Sequence, residues 1–180
     1  MITITPCAIS QLDLLAEIAI TSYKQTYNYL WLDEAEAYLK KFYDKADCKE
    51  DMAKTGVYYF FVYDDDELVG YFKLKENLSS LNSEKKYLEI EKLYLLQSAT
   101  GKGIGKTVMN FIFDFADKKQ CNTLLLQVME SSPAKLFYES YGFKQTGRAR
   151  LNYPFLIDEY RWILTHVLEL ADKRLPVLAS

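Results

Sequence analysis

The sequence predicts one α/β domain, and three observations carry that expectation. The chain has 180 residues, the length of a single domain. Apolar residues recur at helical spacing before Gly56, and Val57–Tyr63 is then β-branched and aromatic throughout, as in a strand. Over residues 87–129 a strand, a glycine-rich turn, an amphipathic helix and a second strand follow one another, which is a βαβ unit. Apolar residues make up 49% and aromatics 15%, enough for a sizeable core and too many for a disordered chain.

Each element has its own signal. Ile2 and Ile4 alternate with Thr3 and Thr5, a short strand over Met1–Pro6. Ser10-Gln-Leu-Asp13 is an N-cap with an acidic partner, and Leu12, Leu15, Ala16, Ala19 and Tyr23 extend a helix to about Tyr23. Asp33-Glu-Ala-Glu36 opens a second helix with Ala35, Tyr38, Leu39 and Phe42 on one face, and a weaker third covers Asp47–Lys54 before Gly56. Val57–Tyr63 and Leu68–Lys75 form a hairpin around the acidic turn Asp64-Asp-Asp-Glu67. Asn77–Lys86 is a polar, Ser-rich loop; its Asn77-Leu-Ser79 triplet carries no weight without a sign of secretion.

Tyr87–Leu96 is the next strand, followed by Gly101-Lys-Gly-Ile-Gly105 and a helix with Ile104, Val108, Phe111, Ile112 and Phe115 on its apolar stripe. Asn122–Met129 contains Leu124-Leu-Leu126, the pattern of a strand buried on both faces. Pro133 is expected at the first position of a helix carrying Ala134, Phe137, Tyr138 and Tyr141, stopped by Gly142. Phe143–Arg150 and Ile157–Leu168 complete the sheet, joined through Asn152-Tyr-Pro154. The domain is expected to span residues 1–170, with 171–180 as a tail.

Composition narrows the function. Lys plus Arg number 22 and Asp plus Glu 25, a net charge of −3, which argues against a general nucleic-acid binder. Neither an eighteen-residue apolar run nor a charged-then-apolar leader is present, so neither a membrane span nor a signal peptide is expected. Cys7, Cys48 and Cys121 are widely spaced and His166 is the single histidine, so neither a zinc site nor a disulfide framework is expected. These features describe a reduced, cytoplasmic domain. His166 alternates with Trp162, Leu164 and Leu168 and is expected to be a packed structural residue.

The turn at residues 100–106 is the feature that carries chemistry. A glycine-rich turn between strand and helix exposes backbone N–H groups at a helix N-terminus, where a phosphate binds. A dinucleotide fingerprint, G-x-G-x-x-G, fails because Lys106 stands at its third glycine. A P-loop, G-x-x-x-x-G-K-S/T, fails at Thr100 alone. Against it, Leu124-Leu-Leu126 runs into Gln127 rather than a carboxylate for Mg²⁺, and only 73 residues follow Thr107.

A third pattern fits best. Thr100-Gly-Lys-Gly103-Ile-Gly105 resembles the phosphate loop Q/R-x-x-G-x-G/A of the GCN5-related N-acetyltransferase (GNAT) family, with Thr100 in place of Gln or Arg. Glu89–Leu95 resembles that family's fourth strand. Ser131-Ser-Pro-Ala134-Lys-Leu-Phe-Tyr138-Glu-Ser-Tyr-Gly142-Phe143 resembles its N-x-x-A-x-x-F/L-Y-x-x-x-G-F signature, with Ser131 in place of Asn. Leu88–Tyr94 and Tyr141–Gly147 look like the polyamine-acetylating PaiA type within the family.

The resemblance implies a mixed, mostly antiparallel central sheet of about seven strands flanked by helices, with a splay between the fourth and fifth strands. It implies acetyl-CoA as cosubstrate and no metal. The pantetheine arm would pair with the backbone of Leu93, Tyr94 and Leu95, a form of strand addition. The pyrophosphate would rest on the turn formed by Thr100, Gly101, Lys102, Gly103, Ile104, Gly105 and Lys106, with Ser131 and Lys135 joining the cofactor site. Lys102, Lys106 and the helix dipole give local positive charge to an acidic protein, unless the two lysines are merely solvated.

Acyl transfer to an amine needs the neutral amine, and an alkylammonium of pKa ~10.4 is neutral about once in 2,500 molecules at neutral pH. A carboxylate can take the proton, directly or through water. Glu89 and Glu91 lie two apart on one strand face, a parity Leu93 shares unless a bulge intervenes. Either could be the base, or both could be structural. Tyr138, protonated at neutral pH, matches the position beside the thiol in the family signature and can donate to the departing thiolate; its alternative role is a core aromatic. Tyr27, Trp31 and Glu34 are the candidate acceptor-binding residues, because aromatic rings and carboxylates suit a cationic amine.

The expected activity is therefore transfer of acetyl from acetyl-CoA to a primary amine (a small amine, a polyamine or a protein N-terminus) by direct attack in a ternary complex. A P-loop-like hydrolase and a catalytically weak CoA-binding regulator are the alternatives. Neither nucleic acid nor membrane is expected as a partner, and a homodimer is left open.

Overall fold

The computed structural model describes residues 1–77 and 86–170. The expected Ser-rich loop, apart from its ends, and the expected tail fall outside them. Seven strands form one sheet in the order β1-β2-β3-β4-β5-β7-β6. They are β1 (Ile2–Pro6), β2 (Val57–Asp64), β3 (Glu67–Glu76), β4 (Tyr87–Leu95), β5 (Thr123–Met129), β6 (Lys144–Arg150) and β7 (Trp162–Glu169). The pair β4/β5 is parallel and every other pairing is antiparallel. This mixed sheet denies the hydrolase alternative the parallel sheet it needs.

Helices cover both faces. On one side α4 (Ile104–Lys118) and α5 (Ala134–Ser140) pack on Phe60, Phe72, Leu88, Ile90, Leu124 and Leu126. On the other, α1 (Leu12–Tyr27) and α2 (Glu36–Phe42) pack on Phe61, Tyr71 and Met129, and α3 (Lys45–Met52) adds Met52 to their edge. Tyrosine is the most frequent residue of the second core, burying area while keeping a polar tip available.

Several boundaries differ from the sequence reading. The first helix runs on to Tyr27 because Tyr23 and Tyr27, one turn apart, are both buried. The second starts at Glu36, not Asp33: Glu34 and Ala35 take left-handed φ of 55° and 67°, and Asp33 Oδ2 caps the helix from outside by accepting from the Ala37 N–H at 3.0 Å. Pro133 is the N-cap of α5 rather than its first helical residue. The last strand begins at Trp162 rather than Ile157, because Asp158–Tyr160 coils into a 3-10 turn. Leu125 is half-buried between the buried Leu124 and Leu126, so β5 is not sealed on both faces.

Two irregularities shape the centre. Pairing between β4 and β5 runs from Tyr87↔Thr123 to Ile90↔Leu126 and goes no further, so the strands splay beyond Ile90. On its other side β4 carries a bulge: Lys73 faces Lys92 and Leu74 faces Ile90, leaving Glu91 as the extra residue. The bulge reverses the strand's parity. Leu88 and Ile90 face the α4 side, and so do Leu93 and Leu95. Leu93 therefore does not share the face of Glu89 and Glu91.

Candidate active site

The site lies where β4 and β5 part. On the α4 side of the gap, the turn at 100–105 is exposed apart from the buried Ile104 and half-buried Gly105. Gly101 and Gly103 have φ of 75° and 78°, and a Cβ on either would meet nothing within 4 Å, so the main chain is open to a ligand there. The N–H groups of Gly101, Lys102, Gly103, Ile104 and Gly105 have no hydrogen-bond partner among the described residues; pairing resumes with Lys106 N–H to Gly103 O at 3.1 Å. Five bare donors at the start of a fifteen-residue helix form an anion cradle that fits a diphosphate. The Thr100 hydroxyl donates to Gln97 O at 2.8 Å, closing the turn beneath them.

The gap also leaves one edge of β4 open. Leu96 N–H donates to Val69 O at 2.8 Å, toward β3. Backbone groups alternate sides along a strand, so Tyr94 also turns to β3, while Leu93 and Leu95 turn their N–H and C=O into the gap. An extended ligand with amide groups could pair with them. Of the other residues assigned to the cofactor, Ser131 Oγ lies 3.0 Å from Tyr29 Oη, and Lys135 Nζ donates to Glu130 O at 3.3 Å.

On the opposite face of the sheet lies a cavity of about 290 Å³. Tyr27, Trp31, Glu89 and Glu91 all line it. Glu34 does not: its left-handed backbone sets it on the exposed turn before α2. Tyr23, Tyr38, Phe42, Tyr94 and Tyr153 complete an aromatic wall that sequence reasoning largely missed. The signal for Tyr38 and Phe42 was available, since they lie four apart on the apolar face of α2. Nothing local marks Tyr153, which arrives from the β6–β7 connection. The Tyr23 and Tyr38 rings stack at 5.0 Å, Trp31 meets Tyr38 at 4.9 Å, and Trp31 Nε1 donates to the Tyr23 hydroxyl at 3.2 Å.

The two carboxylates differ. Burial, and then the neighbouring charge of Glu91, raise the pKa of Glu89 above the usual carboxylate range. Glu91 is engaged by Lys73 Nζ at 2.7 Å, and the same ammonium reaches Asp51 Oδ2 on α3 at 2.5 Å. Lys92, next along the bulge, has its pKa lowered, first by burial and then by Lys73; its ammonium sits 4.1 Å from the Tyr43 ring centre.

Tyr138 is buried on α5, and burial, with Tyr27 adding to it, pushes its phenol well above its ordinary pKa. It packs edge-on against Phe137 and Phe143 at 5.3 and 5.9 Å, so it is a core aromatic whatever else it does. His166 is fully buried, with Nε2 3.4 Å from Glu139 Oε1 and Nδ1 without a partner among the described residues. The cysteines are all free, and burial pushes the Cys7 thiol up to about 11 and raises those of Cys48 and Cys121, so none is an activated thiolate. Among the described residues there is no group of three or more His, Cys, Asp or Glu placed to hold a metal ion, and no helix is long and apolar enough to cross a membrane.

Comparison with known proteins places these features in context. The sequence pattern of the Acetyltransferase (GNAT) family matches residues 19–143. An uncharacterized N-acetyltransferase of Lactobacillus delbrueckii subsp. lactis is 30% identical over 116 residues, a match spanning 61% of this chain and 65% of that relative. The PaiA N-acetyltransferase of Thermoplasma acidophilum, solved in complex with coenzyme A, superposes with a TM-score of 0.72 at 23% identity, covering 92% of this chain and 98% of that one. A spermidine N-acetyltransferase of Vibrio cholerae gives a TM-score of 0.69 at 16% identity, covering 96% of each chain.

Proposed function

The chain belongs to the acetyltransferase (GNAT) family, and on that premise we propose that it transfers an acetyl group from acetyl-CoA to a primary amine by direct attack within a ternary complex. The observation that carries the reading is the coincidence, at one splay, of five bare N–H donors, an open strand edge and a carboxylate-bearing aromatic cavity. Acetyl-CoA supplies the activated acetyl thioester. The cradle at 101–105 binds its diphosphate, and the backbone of Leu93 and Leu95 aligns its amide arm. The amine enters from the cavity, where aromatic faces attract its ammonium form.

Glu89 then takes the amine proton, directly or through a water. It is the better base of the two, because Glu91 is held by Lys73 while burial makes Glu89 the stronger proton acceptor. Loss of that proton frees the nitrogen lone pair, which forms the new C–N bond as the C–S bond breaks. Tyr138, kept protonated by burial, gives its proton to the leaving thiolate and regains one, through water, from the second proton the nitrogen loses as the amide forms. The acceptor is a slender alkylamine or polyamine, which the aromatic and acidic lining suits.

The experiment is thiol release from acetyl-CoA with a panel of polyamines, amino acids and peptide N-termini. Release with an amine, and a higher melting temperature with acetyl-CoA but not with Mg·ATP, is the expected result. No release with any amine, or stabilisation by Mg·ATP alone, overturns the proposal.

A further inference from the structure

One wall of the cavity is a strap, the connection between β6 and β7, and Leu151, Tyr153 and Leu156 carry it onto the aromatic cluster. A stretch without regular pairing makes a poor wall unless its backbone groups are satisfied. Here a single side chain satisfies three of its carbonyls. Arg161 Nη1 donates to Leu151 O at 3.3 Å and Tyr153 O at 3.2 Å, and Nη2 to Leu156 O at 2.6 Å. Its Nε is paired with Asp158, which keeps the guanidinium plane aimed at the strap. The Arg161 side chain is 17% exposed.

The outer edge of the strap is stitched to the segment between α1 and α2. Leu32 N–H donates to Phe155 O at 2.8 Å and Ile157 N–H to Leu30 O at 2.9 Å, with Trp31 and Leu156 forming a bridge between them. Between these anchors Phe155 is held at φ 61°, a conformation unfavourable for a bulky residue, which persists only where its surroundings impose it. The result is a fixed ring: Tyr153 stands edge-on to Tyr38 at 5.5 Å and to Phe42 at 5.7 Å.

We propose that Arg161 is a positioning residue that sets the acceptor wall, and through it the choice among amines. This rests on the acceptor reading of the cavity. A guanidinium is suited to the task because its planar fork addresses three carbonyls and a carboxylate at once; a lysine ammonium is a point and cannot span them. With the strap set before the amine arrives, the cavity stays narrow and favours a slender alkylamine over a branched or aryl one. Without the clamp, the wall must be ordered at each binding event, and selectivity is lost with affinity.

The test compares wild type with Arg161→Lys and Arg161→Gln by steady-state kinetics on 1,4-diaminobutane and an arylalkylamine, CoA titration, and backbone hydrogen exchange. The expected result for Arg161→Gln is faster exchange at Leu151, Leu156 and Ile157 with α4 unchanged. KM for the diamine rises about tenfold with little change in kcat, the preference between the two amines shrinks, and CoA affinity holds. Arg161→Lys falls between. Faster strap exchange with unchanged KM and preference overturns the proposal, as does unchanged strap exchange. A wild type inert toward every amine overturns it too, by removing the acceptor reading, and shows itself before any variant is compared.

Discussion

A half-buried carboxyl beside a second carboxyl binds its proton more tightly than it does in the unfolded chain, and Glu89 is in that position. Its contribution to stability is favourable in acid and becomes a cost as pH rises through its raised value. Glu89→Gln removes that cost, so thermal denaturation should show a higher melting temperature than wild type near neutral pH, with the difference closing in acid. The same substitution should lower kcat/KM by about 10²–10⁴ and abolish the acidic limb of the pH–rate profile. A gain in stability with unchanged turnover would make Glu89 structural. Tyr138→Phe keeps the ring contacts with Phe137 and Phe143 and removes only the hydroxyl. Turnover should fall by about 10²–10⁴ while CoA affinity and melting temperature hold; loss of stability together with turnover would assign Tyr138 to the core alone. At this scale the two-residue spacing of Glu89 and Glu91 was enough to set both on one strand face, the face that lines the cavity. Glu34 was misplaced because the left-handed pair Glu34–Ala35 has no composition signal, neither residue being the Gly or Asn that usually marks such a turn.

Among the elements, β4 is the most consequential and the hardest to read. Its alternation breaks at Glu91, and without a bulge Leu93 and Leu95 would fall on the face of Glu89 and Glu91. The sequence marks the extra residue only by a phase change: Leu88 and Ile90 hold one parity and Leu93 and Leu95 the other, with the polar pair Glu91-Lys92 between them. Two neighbours hold the strand in place. Gly70 of β3 lets it approach: a Cβ there would lie 2.4 Å from Tyr94 O and 2.6 Å from a Leu95 side-chain carbon. Gly70→Ala should therefore cost about 1–3 kcal/mol in denaturant unfolding, with CoA affinity reduced because the displaced stretch includes Leu95. Lys73 ties the bulge to α3 through Glu91 and Asp51. Burial alone would raise the Asp51 carboxyl, but hydrogen bonds from Lys73 and Tyr59 outweigh it and hold its pKa below the ordinary range. That contribution exists above the unfolded carboxylate value and disappears as pH falls through the folded one. Lys73→Met should destabilise by about 3 kcal/mol near neutrality and flatten the acid limb of the stability curve; an unchanged limb would show that the pair contributes nothing.

For the molecule as a whole, the order of strands and helices was legible because each carried a strong local signal: the capping runs, the period change at Val57, and Gly142 after the α5 stripe. The splay between the fourth and fifth strands was expected from the family resemblance and is present, whereas which faces share a core is decided by long-range packing and was not legible. The splay opens where the pairing of β4 with β5 ends at Ile90 and Leu126, while β4 stays paired with β3 and β5 with β7 along their far edges. The cradle at one end of the gap and the cavity across the sheet are consequences of that divergence. Residue-specific amide NMR during titration with CoA tests this most directly. The account predicts the largest shifts at the N–H groups of Gly101–Gly105 and of Leu93 and Leu95, with α3 and β1 unmoved. Shifts confined to other surfaces, or none at saturating CoA, would contradict it.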